Sequence, residues 1–248
     1  MLHKRLITVL TFNDGVLFRT KLFNPDYRYT LNFVDAWSVD EIVVLDVTRS
    51  GQGERANFES VVRRFASQCF VPLTVGGGIR SMDDVRRIIA LGADKVAVNS
   101  AVAERPELIG EIATQYGSQC VVCSIDARRD EESRYEAFTH CATRATGCDV
   151  ATWARRAQDL GAGEILVTSV ERDGALSGYE IELCRQVVDA VQLPVLISGG
   201  AGRWEHFVEG FVKGGASAVC TNNIYHFTEA SICSAKAYLA KAGIPVRV

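Results

Sequence analysis

Short apolar runs rich in β-branched residues recur along the chain and alternate with stretches of helical periodicity. Strand-like runs fall at Arg5–Leu10, Glu41–Val47, Pro72–Val75, Lys95–Val98, Cys120–Ile125, Glu164–Ser169, Pro194–Ile197 and Ala216–Thr221. Most are apolar nearly throughout, which predicts parallel strands covered on both faces. Between them, Leu108, Ile109 and Ile112 repeat at helical spacing after Pro106, and Trp153, Ala157 and Leu160 form a second stripe. Ser81-Met82-Asp83-Asp84 reads as a helix N-cap with an acidic first turn. Gly92-Ala93, Gly161-Ala162 and Gly215-Ala216 each precede a strand, as a glycine closing a helix would. Eight strand–helix units of this kind predict an α/β fold, a (β/α)8 TIM barrel, with an open doubly wound sheet as the alternative.

An internal repeat favours the barrel. Glu41-Ile-Val-Val matches Glu164-Ile-Leu-Val, Val75-Gly-Gly-Gly78 matches Ser198-Gly-Gly-Ala201, and Gly92-Ala-Asp94 matches Gly215-Ala-Ser217, each pair offset by 123 residues. Two fused half-barrels, about 1–119 and 120–248, account for that offset, whereas an open sheet has no reason to show it.

Composition narrows the class further. The 248 residues are 48% hydrophobic and 23% charged, enough for one domain over 1–248 to build its own core without a metal or disulfide staple. No apolar run approaches the roughly 18 residues of a transmembrane helix, and the apolar start at Leu6–Leu10 is too short for a secretory segment. A net charge of −3 argues against a general nucleic-acid binder. The expectation is a soluble cytoplasmic protein with no membrane or nucleic-acid partner and no cofactor. The eight cysteines lie mostly inside apolar runs and read as reduced core residues. Cys120 and Cys123 have CxxC spacing, but on a strand such positions face opposite sides.

Barrels of this kind carry their chemistry at the C-terminal strand ends. Glycine turns fall there twice, at Gly76-Gly77-Gly78 and Gly199-Gly200-Ala201-Gly202, each backed one strand later by a polar dipeptide, Asn99-Ser100 or Asn222-Asn223. Glycine alone makes tight turns, but the paired arrangement points to two anion sites and a ligand with a phosphate at each end. Asp126 ends the fifth run and is the best-placed acid–base group; Asp173 lies in the loop after the sixth. Asp46, ending the second run, is either functional or a buried acid paired with a base. The four histidines (3, 140, 206 and 226) make no ligand spacing, no metal site is expected, and His206 reads as a surface or packing residue of a helix. At the opposite strand ends, Arg5, Glu41, Lys95 and Glu164 offer two cations and two anions for a closed ring across the barrel bottom, where charge ordinarily serves stability.

With these residues in hand, the chain resembles the cyclase subunit of imidazole glycerol phosphate synthase throughout. The likeness rests on Asn13-Asp-Gly15, Thr74-Val-Gly-Gly-Gly-Ile79, Ala93-Asp-Lys-Val96, Asn99-Ser100, Ser124-Ile-Asp-Ala127, Gly161-Ala-Gly-Glu-Ile165, Thr168-Ser169, Arg172-Asp-Gly174, Ser177-Gly-Tyr179, Ser198-Gly-Gly-Ala-Gly202 and Glu205-His-Phe207. The resemblance implies a barrel that receives ammonia from a glutaminase docked at its bottom. Ammonia then passes to a two-phosphate substrate at the top, where a lyase and cyclase reaction follows. It assigns an ammonia gate to Arg5, Glu41, Lys95 and Glu164, and a partner-facing role to Asp94. Asp126 and Asp173 take the catalytic and supporting acids, Gly77, Gly78, Asn99 and Ser100 the first phosphate site, and Gly199 and Gly200 the second.

Departures fall at the top. The family's second essential aspartate, ending the first strand, is Thr11 here, and a hydroxyl cannot replace a carboxylate in proton transfer near neutrality. Asp14, three residues on in an Asp-Gly turn, is the nearest alternative acid. The family's lysine after that strand is Arg19, which cannot release its proton. The loop Lys21–Leu31 is shorter than the family's, and Asn222-Asn223 sets larger side chains beside the second phosphate site. Lys21-Leu-Phe-Asn-Pro25 resembles a paralogous branch associated with surface-polysaccharide synthesis. In that branch the barrel and glutaminase supply ammonia to a separate ATP-dependent amidotransferase that builds an acetamidino group on a sugar. An authentic cyclase of histidine biosynthesis, and a barrel that only docks and activates a glutaminase, are the alternatives. A sugar-phosphate isomerase barrel is a more distant one, since it too relies on an acid ending the first strand.

Overall fold

The computed structural model describes residues 3–21, 24–26, 39–48, 55–222 and 232–247, with backbone alone for 18–21 and 24–26. Eight parallel strands close a barrel in the order β1 (Arg5–Asn13), β4 (Glu41–Asp46), β5 (Leu73–Gly76), β6 (Lys95–Val98), β7 (Val121–Arg129), β10 (Glu164–Ser169), β11 (Val195–Ser198) and β12 (Ala218–Thr221). Closure comes from β7 pairing with β10 and β12 pairing with β1. Two antiparallel excursions leave the barrel: β2 (Val16–Lys21) with β3 (Asn24–Asp26) extends β1, and β8 (Tyr135–Thr139) with β9 (Arg144–Asp149) extends β7.

Alternation along each strand sorts side chains into two cores. Ile7, Val9, Val43, Ala97, Val122, Leu166, Leu196, Ala218 and Cys220 fill the barrel interior. Their neighbours, including Leu6, Leu10, Phe12, Ile42 and Val44, face the helices in a larger outer core. Burial on both faces is why the strands read as unbroken apolar runs.

Helices α1 (Arg55–Gln68), α2 (Met82–Ala90), α3 (Ser100–Glu104), α4 (Glu107–Tyr116), α5 (Val150–Asp159), α6 (Ile181–Ala190), α7 (Trp204–Val212) and α8 (Ile232–Lys241) follow their strands in chain order. Phe58, Val61, Val62 and Phe65 bury one stripe of α1, and Phe12 meets Phe58 and Phe65 edge-on at 6.3 and 6.2 Å. Ser81 caps α2 in a reciprocal box with Asp84, as the sequence predicts. Pro106 has helical dihedrals just before α4. The 123-residue repeat has a spatial counterpart, since β4 and β10, and β6 and β12, carry that same offset.

Several boundaries differ from the apolar pattern by a residue or more, three of them for evident reasons. β1 runs on to Asn13 because Thr11–Asn13 pair with Val16–Phe18 across the Asp14-Gly15 turn. Ala216 precedes β12, its N–H still donating to Gly210 O at 3.1 Å. Cys120 belongs to a 3₁₀ turn, Ser118–Cys120, with its thiol on Tyr116 O, while Cys123 is fully buried on β7. No disulfide joins the cysteines among the described residues.

Candidate functional site

At the bottom of the barrel, four strand starts bring Arg5, Glu41, Lys95 and Glu164 into one closed ring. Arg5 Nη1 lies 2.9 Å from Glu41 Oε2, and its Nη2 lies 2.8 Å from Glu164 Oε1. Lys95 Nζ completes the circuit, 3.0 Å from Glu41 Oε2 and 2.9 Å from Glu164 Oε2. Thr74 Oγ1 donates to Glu41 Oε1 at 2.7 Å, a contact that sequence reading did not single out. The Glu41 side chain is only 2% exposed and that of Arg5 25%, so the ring seals the interior from below while its arginine still meets solvent. Burial works against the Arg5 charge, but Glu164 and Glu41 outweigh it and raise its pKa. Cys220, inside the barrel, senses the same group: burial, with Glu41 adding, pushes its thiol well above the ordinary range.

Asp94 is exposed beside Lys95. Its Oδ2 accepts from Leu73 N–H at 2.8 Å, and its own N–H donates to Leu73 O at 2.8 Å, which clasps two strand starts together. Lys236 of α8 pairs with Asp40 at 2.7 Å nearby, with side chains 10% and 8% exposed.

At the top, Asp126 lies on the inward face of β7 and is 8% exposed. Its register partner on β10 is Thr168. Asn99 Nδ2 donates to Asp126 Oδ2 at 3.0 Å. Burial, with Asp173 adding, pushes the carboxyl up to about 7; the Asn99 amide and the Ala142 N–H oppose that rise without cancelling it. A carboxyl near 7 suits proton transfer in either direction at neutral pH. Asp173 sits in the turn after β10, where its N–H donates to Ser169 O at 3.0 Å.

Thr11 falls on the same inward alternation as Ile7 and Val9, in register with Leu45. No carboxylate therefore projects inward from the end of β1. Asp14, the alternative acid, lies three residues on from that position. This residue is exposed in the hairpin turn, with its carboxylate on Asn57 Nδ2 at 2.8 Å and its N–H on Thr48 Oγ1 at 2.7 Å. Arg19 lies on β2, and most of the loop Lys21–Leu31 lies outside the described residues.

Both glycine turns lie at this mouth. Gly77 has φ +101°, and a Cβ there would stand 2.1 Å from Asp46 O; Gly200 has φ +104° and would stand 2.1 Å from Gly178 O. Backbone crowding thus demands glycine at these two positions whatever binds. Gly199 and Gly78 also have positive φ, and at Gly78 the nearest neighbour is Arg55 Nη1, which donates to Gly78 O at 3.0 Å. Ser100 Oγ accepts from His140 N–H at 3.0 Å. Asn222 is half-buried just after β12, and Asn223 lies outside the described residues.

Asp46 accepts from Thr48 N–H at 3.0 Å and so caps its own turn. His206 is a buried packing residue of α7 whose Nδ1 accepts from Gly202 N–H at 3.1 Å; burial, with Arg203 adding, lowers its pKa. His3 is exposed, His140 lies in the β8–β9 turn, and His226 lies outside the described residues. Among the described residues no group of three or more His, Cys, Asp or Glu could hold a metal ion, and no helix is long and apolar enough to cross a membrane.

A closed parallel barrel with a buried acid at its C-terminal mouth and a charged plug at its base defines a (β/α)8 protein of the enzyme type. More narrowly, the family described as histidine biosynthesis protein matches residues 8–231, and the chain belongs to that family. Its cyclase-like barrels are the members this architecture fits.

Proposed function

We infer that this barrel receives ammonia from a glutaminase at its lower face and passes it upward to an acceptor at the upper mouth. The acceptor we favour belongs to a separate ATP-dependent sugar amidotransferase, which forms an acetamidino group on a surface-polysaccharide sugar. The observation that carries this reading is the contrast between the two ends. Below, all four ring charges are present and mutually paired. Above, Thr11 occupies the inward position where a cyclase needs its second carboxylate.

Between the ends lie apolar side chains, several of them small: Ala97, Ala218, Cys220 and Val122. Such a lining solvates neutral ammonia better than ammonium, because burying an unpaired ion is far more costly than burying a neutral amine. Asp126 favours the rival reading of an authentic cyclase, since its carboxyl near 7 is suited to acid–base work. With one acid of two, the cyclase rate should still fall by about 10²–10⁴-fold. A barrel that merely activates its glutaminase is the third reading.

Amide-¹⁵N glutamine given to the reconstituted glutaminase–barrel–amidotransferase assembly tests the proposal. Label should reach the sugar in preference to free ammonium from the medium, and Lys95→Ala should abolish that preference. If Lys95→Ala weakened docking alone and left channelled transfer intact, the scaffold reading would replace this one.

A further inference from the structure

One residue along from the basal ring, on the outer side of two of its strands, lies a second buried ion pair. Asp40 precedes Glu41 in the chain, and Leu6 follows Arg5. Leu6 and Ile42 belong to the outer core, Ile7 and Val43 to the interior, so alternation turns Asp40 outward and Arg5 and Glu41 inward. Leu6 N–H donates to Asp40 Oδ2 at 2.8 Å, and Leu6 O accepts from Asp40 N–H at 3.1 Å. The carboxylate thus takes the N–H of the Arg5–Leu6 peptide, just below Ile7 and Glu41, the first register pair of β1 with β4. Its other oxygen, Oδ1, accepts from Lys236 Nζ of α8 at 2.7 Å. Both side chains are buried, and Lys236 lies on the buried stripe of α8 with Ile232, Ala235 and Leu239. A buried ion pair is a weak device for stability, and fixing register is the best-attested use of one.

The internal repeat separates what the fold requires from what is added here. Residues just before four strands donate their N–H to the neighbouring strand: Asp40 to Leu6 O, Asp94 to Leu73 O, Gly163 to Val121 O and Ser217 to Val195 O. Gly163 and Ser217 stand 123 positions after Asp40 and Asp94. The backbone contact is common to both halves, but only Asp40 and Asp94 have a carboxylate to close back onto the partner's N–H. Both lie in the half that carries Arg5, Glu41 and Lys95.

We propose that Asp40 and Lys236 are positioning residues of the basal ring. Helix α8 anchors the carboxylate, and the carboxylate holds the Arg5–Leu6 peptide against the start of β4. That register places Arg5 Nη1 2.9 Å from Glu41 Oε2 on the inner side. The use of this clasp in ammonia passage rests on the gate reading above; the register claim does not.

The test is ¹⁵N NMR of the Arg5 side chain in the full chain, assigned by its loss in Arg5→Lys. A guanidinium held by two carboxylates keeps its N–H protons from exchanging freely with water. In Lys236→Met those protons should exchange at least about tenfold faster, while backbone amides of β7 stay as in wild type. Lys241→Met removes the same charge from the exposed end of α8 and should change nothing. If Lys236→Met does not fold, Asp40→Leu combined with Lys236→Met, which strands no charge, takes its place with the same expectation. Unchanged Arg5 exchange in the folded variant overturns the proposal, and so does equal quickening in Lys241→Met or in the β7 amides. In the ¹⁵N-glutamine assay Lys236→Met should lose most of the channelled label. Faster Arg5 exchange with channelling intact would count against the ring as a gate and leave the clasp standing.

Discussion

Asn99 gives its side-chain amide to Asp126 at 3.0 Å, tying the acid on β7 to the residue that opens α3. The bond steadies the carboxylate but does not offset burial, and the group keeps a raised proton affinity. Its folded pKa of about 7 exceeds the unfolded value of 3.8, so the folded state binds the proton more tightly. The neutral acid therefore contributes stability at low pH, and that contribution is lost as pH rises through about 7. Asp126→Asn keeps a neutral group at all pH values. Relative to wild type, it should gain stability between about pH 4 and about pH 8, by up to about 4 kcal/mol. Urea unfolding at the two ends of that range checks it, and a pH-independent difference would mean the carboxyl is not shifted.

The basal ring makes a contrast with the surface. Lys95→Met leaves Glu41 and Glu164 to share Arg5 alone, and stranding a buried charge costs about 3–5 kcal/mol. Arg86 and Asp83 on α2 stand closer, at 2.6 Å, but their side chains are 55% and 81% exposed. Arg86→Met should cost no more than about 0.5 kcal/mol. Equilibrium unfolding of both variants decides whether burial or distance governs these pairs; equal costs would contradict the account.

Thr8 carries a buried hydroxyl that finds no hydrogen-bond partner, on a residue 5% exposed. A buried unsatisfied oxygen is a penalty without compensation, and valine has nearly the same shape. Thr8→Val should raise stability by about 1 kcal/mol. Thermal unfolding measures it, and a clear loss of stability would reveal that the hydroxyl is satisfied in solution.

Much of this arrangement is legible in sequence because barrel strands are buried on both sides. Glu41–Asp46 and Glu164–Ser169 read as strands from their apolar runs, and their common offset speaks for closure. Arg5, Glu41, Lys95 and Glu164 stand out as charges at strand starts, yet spacing alone cannot say that they touch. That depends on the tilt and register of four strands. The β8–β9 hairpin is not legible. β8 alternates buried and half-buried residues in one short segment, and β9 is mostly exposed, so neither forms an apolar run. The turn at His140–Ala142 carries no glycine or asparagine to mark its left-handed backbone.

The most direct test of the central claim is turnover of the cyclase's two-phosphate substrate by the purified barrel with free ammonium salts, compared with the Thr11→Asp variant. Wild type should be slower than Thr11→Asp by about 10²–10⁴-fold, the contribution of one acid–base partner. Robust wild-type turnover that Thr11→Asp does not improve would contradict the account and make the barrel a working cyclase.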